Sequence, residues 1–185
     1  MFNSLKYWEN RYKDDPNFGN NYNEGVRIKA GFINKFIKEK GIKKVFDYGC
    51  GDGRQSKHIK VDEYIGVEVS ETALRRCKKL NPDKIFYPGK DIAPILREFK
   101  PDLCLSLWVI SHLIEDCLYE EYMRNLFSSE RFVLIHSFNQ DKTYPAMYQK
   151  DRNFTKNIGK EWKLLPPRET CTKYEFIYER LFLST

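Results

Sequence analysis

Short apolar runs recur along this chain at intervals too wide for hairpins, and that spacing constrains the fold more than any other feature. Lys44 to Asp47, Tyr64 to Glu68, Lys84 to Tyr87, Asp102 to Leu107 and Phe132 to Ser137 each have strand length, with helix-sized segments between most of them. Connections of that length suit crossovers between parallel neighbours rather than tight turns. Parallel strands bury both faces, so helices must cover the sheet on both sides. The tail breaks the pattern. Trp162 to Leu165, then Pro166-Pro167, then Lys173 to Leu183 read as two strands forming an antiparallel pair at one edge. The expected architecture is a doubly wound α/β fold with a mostly parallel, seven-stranded sheet.

Helical periodicity fills the intervals. Leu5, Trp8 and Tyr12 share a face from Ser4 to Lys13, with Ser4 as the expected N-cap. After the turn-rich DDPNFGNNYNEG, the residues Val26, Ile28, Phe32, Ile33, Phe36 and Ile37 form one face of a helix from Glu24 to Lys40, closed by Gly41. Arg54 to Ile59 reads as a helix, Ser70 caps another through Lys79, and Leu118 to Phe127 is a further one. The 185 residues are expected to form one domain: N-terminal helices over 1–40, a core over 41–137, and a substrate loop with the C-terminal strands over 138–185.

Composition narrows the function classes. With 41% hydrophobic and 31% charged residues the chain is globular, and no apolar run reaches the ~18 residues of a membrane span. The N-terminal stretch lacks the apolar core of a secretory signal. The 5 cysteines include no Cys-x-x-Cys pair, which argues against a disulfide framework or a zinc ribbon and for a reducing, cytoplasmic setting. The net charge of +6 admits either a solvated surface or an anionic partner, but Lys and Arg are scattered, which disfavours nucleic acid.

Chemistry begins at VFDYGCGDGRQ. Asp47, Gly49, Gly51 and Gly53 follow the first strand as D-x-G-x-G-x-G, a turn in which the backbone can approach a ligand closely. About twenty residues on, Glu68 ends the second strand, where a carboxylate accepts both hydroxyls of a ribose. A dinucleotide fingerprint would place its third glycine at Arg54, one position later. The pattern therefore specifies a nucleoside cofactor other than a dinucleotide.

FDYGCGDG, YIGVEVSETAL and DLCLSLWVISHL together resemble the class I S-adenosylmethionine-dependent methyltransferases, whose fold is Rossmann-like. More narrowly, YWENRY, FDYGCGDGRQ, LSLWVISHLIEDCLYEEYMRNLF and RFVLIHSFN are similar to small bacterial methyltransferases of surface-carbohydrate (capsule or lipopolysaccharide) biosynthesis. Trp108 stands where that group usually has Asp, and FGNNYNEG replaces its glycine- and serine-rich segment. The resemblance implies S-adenosylmethionine as cofactor and S-adenosylhomocysteine as product. It implies that Asp47 and the Gly49, Cys50, Gly51 and Gly53 backbone hold the methionine part. Glu68 would take the ribose and Val69 and Ile92 the adenine. Asp91 would accept the adenine amino group unless it caps a helix, and Trp108 and Tyr12 would wall the pocket.

Methyl transfer to a hydroxyl or amine also requires removal of a proton. His112, just beyond the fourth strand, and His136, near the end of the fifth, are the candidate bases, with Glu115 and Asp116 as alternatives and His58 as a structural residue. No Asp/Asn-Pro-Pro-aromatic element, Pro-Cys nucleophile or metal-ligand spacing is present. The expected acceptor is a small molecule, a hydroxyl of a sugar or of a phosphorylated or nucleotide-linked metabolite. An RNA methyltransferase and a non-catalytic cofactor-binding module are the alternatives. Tyr7, Trp8, Arg11 and Tyr12 could form a lid hinged at NNYNEG, and the loop from Asn139 to Lys160 is the expected substrate-facing insertion.

Overall fold

The first five strands fall within a residue or two of where the apolar runs place them: β1 (Lys44–Tyr48), β2 (Glu63–Glu68), β3 (Ile85–Pro88), β4 (Leu103–Leu107) and β5 (Phe132–His136). The computed structural model describes residues 2–15, 23–167 and 174–181. Past β5 come a small hairpin, β6 (Lys142–Thr143) with β7 (Lys150–Asp151), and then β8 (Trp162–Leu164) and β9 (Glu175–Arg180). The seven-stranded sheet runs β3-β2-β1-β4-β5-β9-β8, and β9 is antiparallel to both neighbours. This reversal matters for the site: His136, at the end of β5, pairs directly with Glu175, at the start of β9. The expected pair of C-terminal strands is present, although residues 173, 182 and 183 lie outside the described ones, as does much of the turn-rich break.

Alternation along the strands divides the core. Val45, Leu103, Leu105 and Leu134 face α2 (Asn23–Lys40), whose Ile33 and Phe36 are fully buried, and α3 (Glu71–Leu80), through Leu74 and Cys77, on the same side. Phe46, Cys104, Val133 and Ile135 pack against α4 (Ile92–Phe99) and α5 (Asp116–Leu126) on the other. Truncating a ring such as Phe36 to Ala should cost ~3–5 kcal/mol. No helix among the described residues is long and apolar enough to cross a membrane.

Two local expectations require correction. The N-cap of α1 (Ser4–Asp14) is Asn3, whose side chain accepts from the Lys6 amide, so Ser4 is the first helical residue. The stretch from Arg54 to Ile59 holds only a single 3-10 turn, Ser56–His58. Six residues are too few to offset helix nucleation, and their carbonyls are taken elsewhere: Asn34 donates to the His58 carbonyl, and Lys84 to those of Ser56 and Ile59. Ser70 does cap α3, accepting from the Ala73 amide.

Helix α1 lies across the carboxyl edge of the sheet and is tied down along its length. Ser4 donates to Glu115 from its amide (2.9 Å) and its hydroxyl (2.5 Å). Glu9 accepts from the Ser70 hydroxyl (2.7 Å) and from the amide and hydroxyl of Thr72 at the start of α3. Arg76 donates to the Tyr12 carbonyl.

Candidate active site

Strands β1, β2, β4 and β5 end along one edge, and α1 and α2 pass over it, enclosing a cavity of about 910 Å³. That is near the upper end of the ~300–1,000 Å³ range of small-molecule sites. The glycine turn forms its floor. Gly49, Gly51 and Gly53 all have positive φ, and the amides of Gly49 and Cys50 both donate to the Val67 carbonyl, folding the turn back onto β2. A Cβ on Gly51 would stand 2.9 Å from the Tyr12 hydroxyl, so glycine lets α1 close over the turn. Gly53 serves a different purpose. It is not part of the cavity wall, and a Cβ there would collide with Asn81 and Cys77 of the α3 region.

Two acids are buried at this end. Asp47 is 1% exposed; one carboxylate oxygen accepts from Tyr64 (2.6 Å) and the other has no hydrogen-bond partner. Burial pushes its pKa up to about 6, against the pull of the Tyr64 hydrogen bond and of Lys84 and Lys29. Glu68 is 7% exposed and accepts from the amides of Gly51 (3.0 Å) and Ser70 (2.8 Å). Burial raises it to about 7 despite these bonds. An orphaned carboxylate oxygen and a second buried acid one strand away fit a cationic, hydroxyl-bearing ligand, because burial outweighs the partners each acid has within the protein.

Val69, Asp91 and Ile92 line the far end of the same cavity. Asp91 occupies the N-cap position of α4, but its φ is +50° and its side chain makes no capping hydrogen bond. Trp108, also at positive φ (+61°), follows β4 and packs edge-on against His136 at 4.7 Å. Both histidines line the cavity as well. The Nδ1 of His112 lies 3.0 Å from the Tyr148 carbonyl, which sets it as the N–H and leaves Nε2 as the acceptor. Burial lowers the His112 pKa, and Trp8 of α1 packs edge-on to its ring at 4.8 Å. His136 is buried, with Nδ1 3.4 Å from a Glu175 oxygen but without the alignment of a hydrogen bond.

The other candidate bases are tied up structurally. Glu115 holds Ser4, and Asp116 pairs with Lys150 (2.9 Å) and Arg152 (2.7 Å); neither lines the cavity. The 139–160 stretch is likewise not part of the wall. Its β6–β7 hairpin braces the turn carrying His112, through Arg152 donating to the Leu113 and Ile114 carbonyls and through Tyr148, which stacks on Tyr7 at 5.2 Å. Of the residues expected to form a lid, Trp8 and Tyr12 line the cavity together with Ser4 and Leu5, whereas Tyr7 and Arg11 do not.

Sequence reasoning missed Lys29, Tyr174 and Glu175, which also line the cavity. Lys29 sits within an apolar helical face and looks like a solvated interruption. Glu175 gains meaning only from its register against His136, which periodicity cannot supply.

Residues 46–128 match the family model described as a methyltransferase domain. No curated protein matches the chain. Among solved structures, the methyltransferase domain of bacterial CtHen1-C is similar at 18% identity and a TM-score of 0.61, over 84% of this chain and 97% of that one. Magnesium protoporphyrin IX methyltransferase from Synechocystis PCC 6803, solved with S-adenosylmethionine, gives 12% identity and 0.65 over 97% and 98% of the two chains. The N-methyltransferase NodS from Bradyrhizobium japonicum WM9, solved with S-adenosylhomocysteine, gives 8% and 0.65 over 97% and 99%. The match over residues 46–128 and the shared architecture give this chain the Rossmann-like fold of these methyltransferases.

Proposed function

We propose that this methyltransferase fold methylates a hydroxyl of a small polar acceptor, a sugar or a phosphorylated or nucleotide-linked metabolite of surface-polysaccharide biosynthesis in the cytoplasm. The observation that carries the reading is the continuity of one cavity from Glu68 and Asp91 at one end to His112 and His136 at the other. In this reading Glu68 accepts the ribose hydroxyls, Val69 and Ile92 flank the adenine, and Asp91 takes its amino group. Asp47 turns its unpartnered oxygen toward the methionine part, over the backbone of Gly49, Cys50 and Gly51. Tyr12 and Trp108 close the walls, and Gly53 contributes by packing rather than by contact.

The cofactor supplies a methyl group on a sulfonium with its leaving group already in place, so the protein chiefly aligns the acceptor, a contribution worth ~7–11 kcal/mol. His112 takes the acceptor proton at Nε2, because its Nδ1 is committed to the Tyr148 carbonyl. Trp8 and Tyr12 exclude water from above.

The test is thermal. S-adenosylmethionine or S-adenosylhomocysteine at 100 times its Kd should stabilise the protein by ~2.7 kcal/mol, a clear rise in Tm. A Tm that rises with NAD and with neither of these compounds would overturn the assignment.

A further inference from the structure

The side of the sheet that faces α2 presents a row of side chains at its carboxyl edge: Glu68, Asp47, Leu107, His136 and Glu175, all lining the cavity. Leu107 divides it. On one side stand the two acids assigned to the cofactor. On the other, His136 and Glu175 face each other across β5 and β9, with Lys29 of α2 near enough to feel the charges of Glu175 and Asp47. Strands ~4.8 Å apart put Glu175 more than ~14 Å from Asp47, three strand spacings across the sheet and two residues beyond Ile177, which is in register with Asp47.

We propose that Lys29, His136 and Glu175, walled by the rings of Trp108 and Tyr174, form the acceptor subsite and recognise a neutral vicinal diol, as on a sugar-like ring, in preference to a phosphate or an ammonium group. The proposal rests on the methyltransferase reading above and narrows its acceptor. The first support is the buried Nδ1 of His136, which faces a Glu175 oxygen at 3.4 Å without making a hydrogen bond, in a residue only 5% exposed. A polar atom so placed calls for a ligand group.

The second support is the mixture of chemistries. A carboxylate accepts, an ammonium donates, and an imidazole can do either. Each hydroxyl of a diol both donates and accepts, so two adjacent hydroxyls can engage all three. Charge decides against the ions. Lys29 offsets Glu175 within the trio, so an ammonium group would meet Lys29 and a phosphate would meet Glu175.

The third support is the wall. Trp108 is held at a φ of +61°, a strained position for a bulky residue, with its ring against His136 and 5.7 Å from that of Tyr174. Rings beside polar groups suit the apolar faces of a hydroxylated ring.

The experiment uses the full chain saturated with S-adenosylhomocysteine and follows Tm. The probes are methyl glycosides of glucose, galactose and rhamnose, then glucose 1-phosphate and galactose 1-phosphate, then ethanolamine. At least one neutral glycoside should raise Tm further, with the phosphates and ethanolamine at least tenfold weaker. Glu175→Gln and Lys29→Met should each weaken the glycoside response about tenfold, with Glu175→Gln leaving S-adenosylhomocysteine affinity within twofold. A response to phosphates or ethanolamine alone, no response to any probe, or a glycoside response untouched by both variants would overturn the proposal. Failure of the wild type to bind S-adenosylhomocysteine would instead overturn the reading on which it rests.

Discussion

The two ends of the cavity are built differently. The end assigned above to the cofactor comes mostly from one stretch of chain, β1 through the start of α4, with Tyr12 of α1 laid over it, and its polar groups are bonded to one another's backbone: Glu68 holds Gly51 and Ser70, and Val67 holds Gly49 and Cys50. The acceptor end is assembled from segments far apart in sequence. Ser4 and Trp8 come from α1, Lys29 from α2, His112 from the turn after β4, and Glu175 from β9, with Tyr148 reaching in from a separate hairpin. A locally encoded site changes little without changing the fold, whereas an assembled one can be re-aimed by any of its contributors. Specificity for the acceptor belongs on the assembled side.

The largest expected effect tests the assembled end. His112→Ala should lose ~10²–10⁴-fold in turnover while binding the cofactor normally, and His136→Ala should lose less. Because burial lowers the His112 pKa, it stays neutral below the usual imidazole range, and the acid limb of kcat should lie below pH ~6.5. The reverse ranking of the two variants would move the base to His136 and Glu175. Small losses in both would mean an acceptor that needs no base.

The same division explains what the sequence could disclose. The strand positions, the mostly parallel sheet with its antiparallel edge pair, and the turn that brings Asp47 and Glu68 to one cavity were legible in periodicity and in D-x-G-x-G-x-G, because those signals are local. The segment 54–59 misled because an apolar, polar and basic mixture resembles a helix turn until its carbonyls are seen to be claimed by Asn34 and Lys84. Glu115 and Asp116 looked like bases because they follow His112, yet their partners, Ser4 and the Lys150–Arg152 pair, lie on distant segments. Lys29 and Glu175 were illegible for the same reason.

A smaller effect sharpens the cofactor end. Asp47 at about 6 and Glu68 at about 7 both lie above their usual values, so in the folded protein each resists ionising. Their contribution to stability is fully present below the ordinary carboxylate range and is lost as pH rises through 6 to 7. A cationic cofactor between them favours the ionised forms and should bind with proton release. Its affinity should therefore rise about tenfold from pH 5.5 to 8, and Glu68→Gln should remove a large part of that rise. Calorimetric titrations in buffers of different ionisation enthalpy would check this, and a pH-independent affinity with no proton release would contradict it.

The smallest effect concerns the helix that spans both ends. Burial works against the Glu9 carboxylate, but the bonds from Ser70 and Thr72 and the Lys13 ion pair (3.1 Å) draw it down to about 2. A carboxylate held below its usual value stabilises the docked state above pH ~4.5 and loses that contribution only as pH falls through about 2. Between pH 5.5 and 8 the α1 clamp is therefore constant, and it contributes nothing to the pH dependence expected from Asp47 and Glu68. Ser70 also joins the two regions, because its hydroxyl binds Glu9 while its amide binds Glu68. Replacing Glu9 with Gln keeps the shape but removes the charge from these bonds, a loss of roughly 1 kcal/mol after solvent screening. If α1 must lift for exchange, Glu9→Gln should speed S-adenosylhomocysteine release about fivefold at pH 7 and leave the rate of the methyl-transfer step in single turnover nearly unchanged. Stopped-flow displacement measures the first and rapid quench the second. Release at the wild-type rate would mean that the cofactor leaves without moving α1, and the helix would then belong to the acceptor end alone.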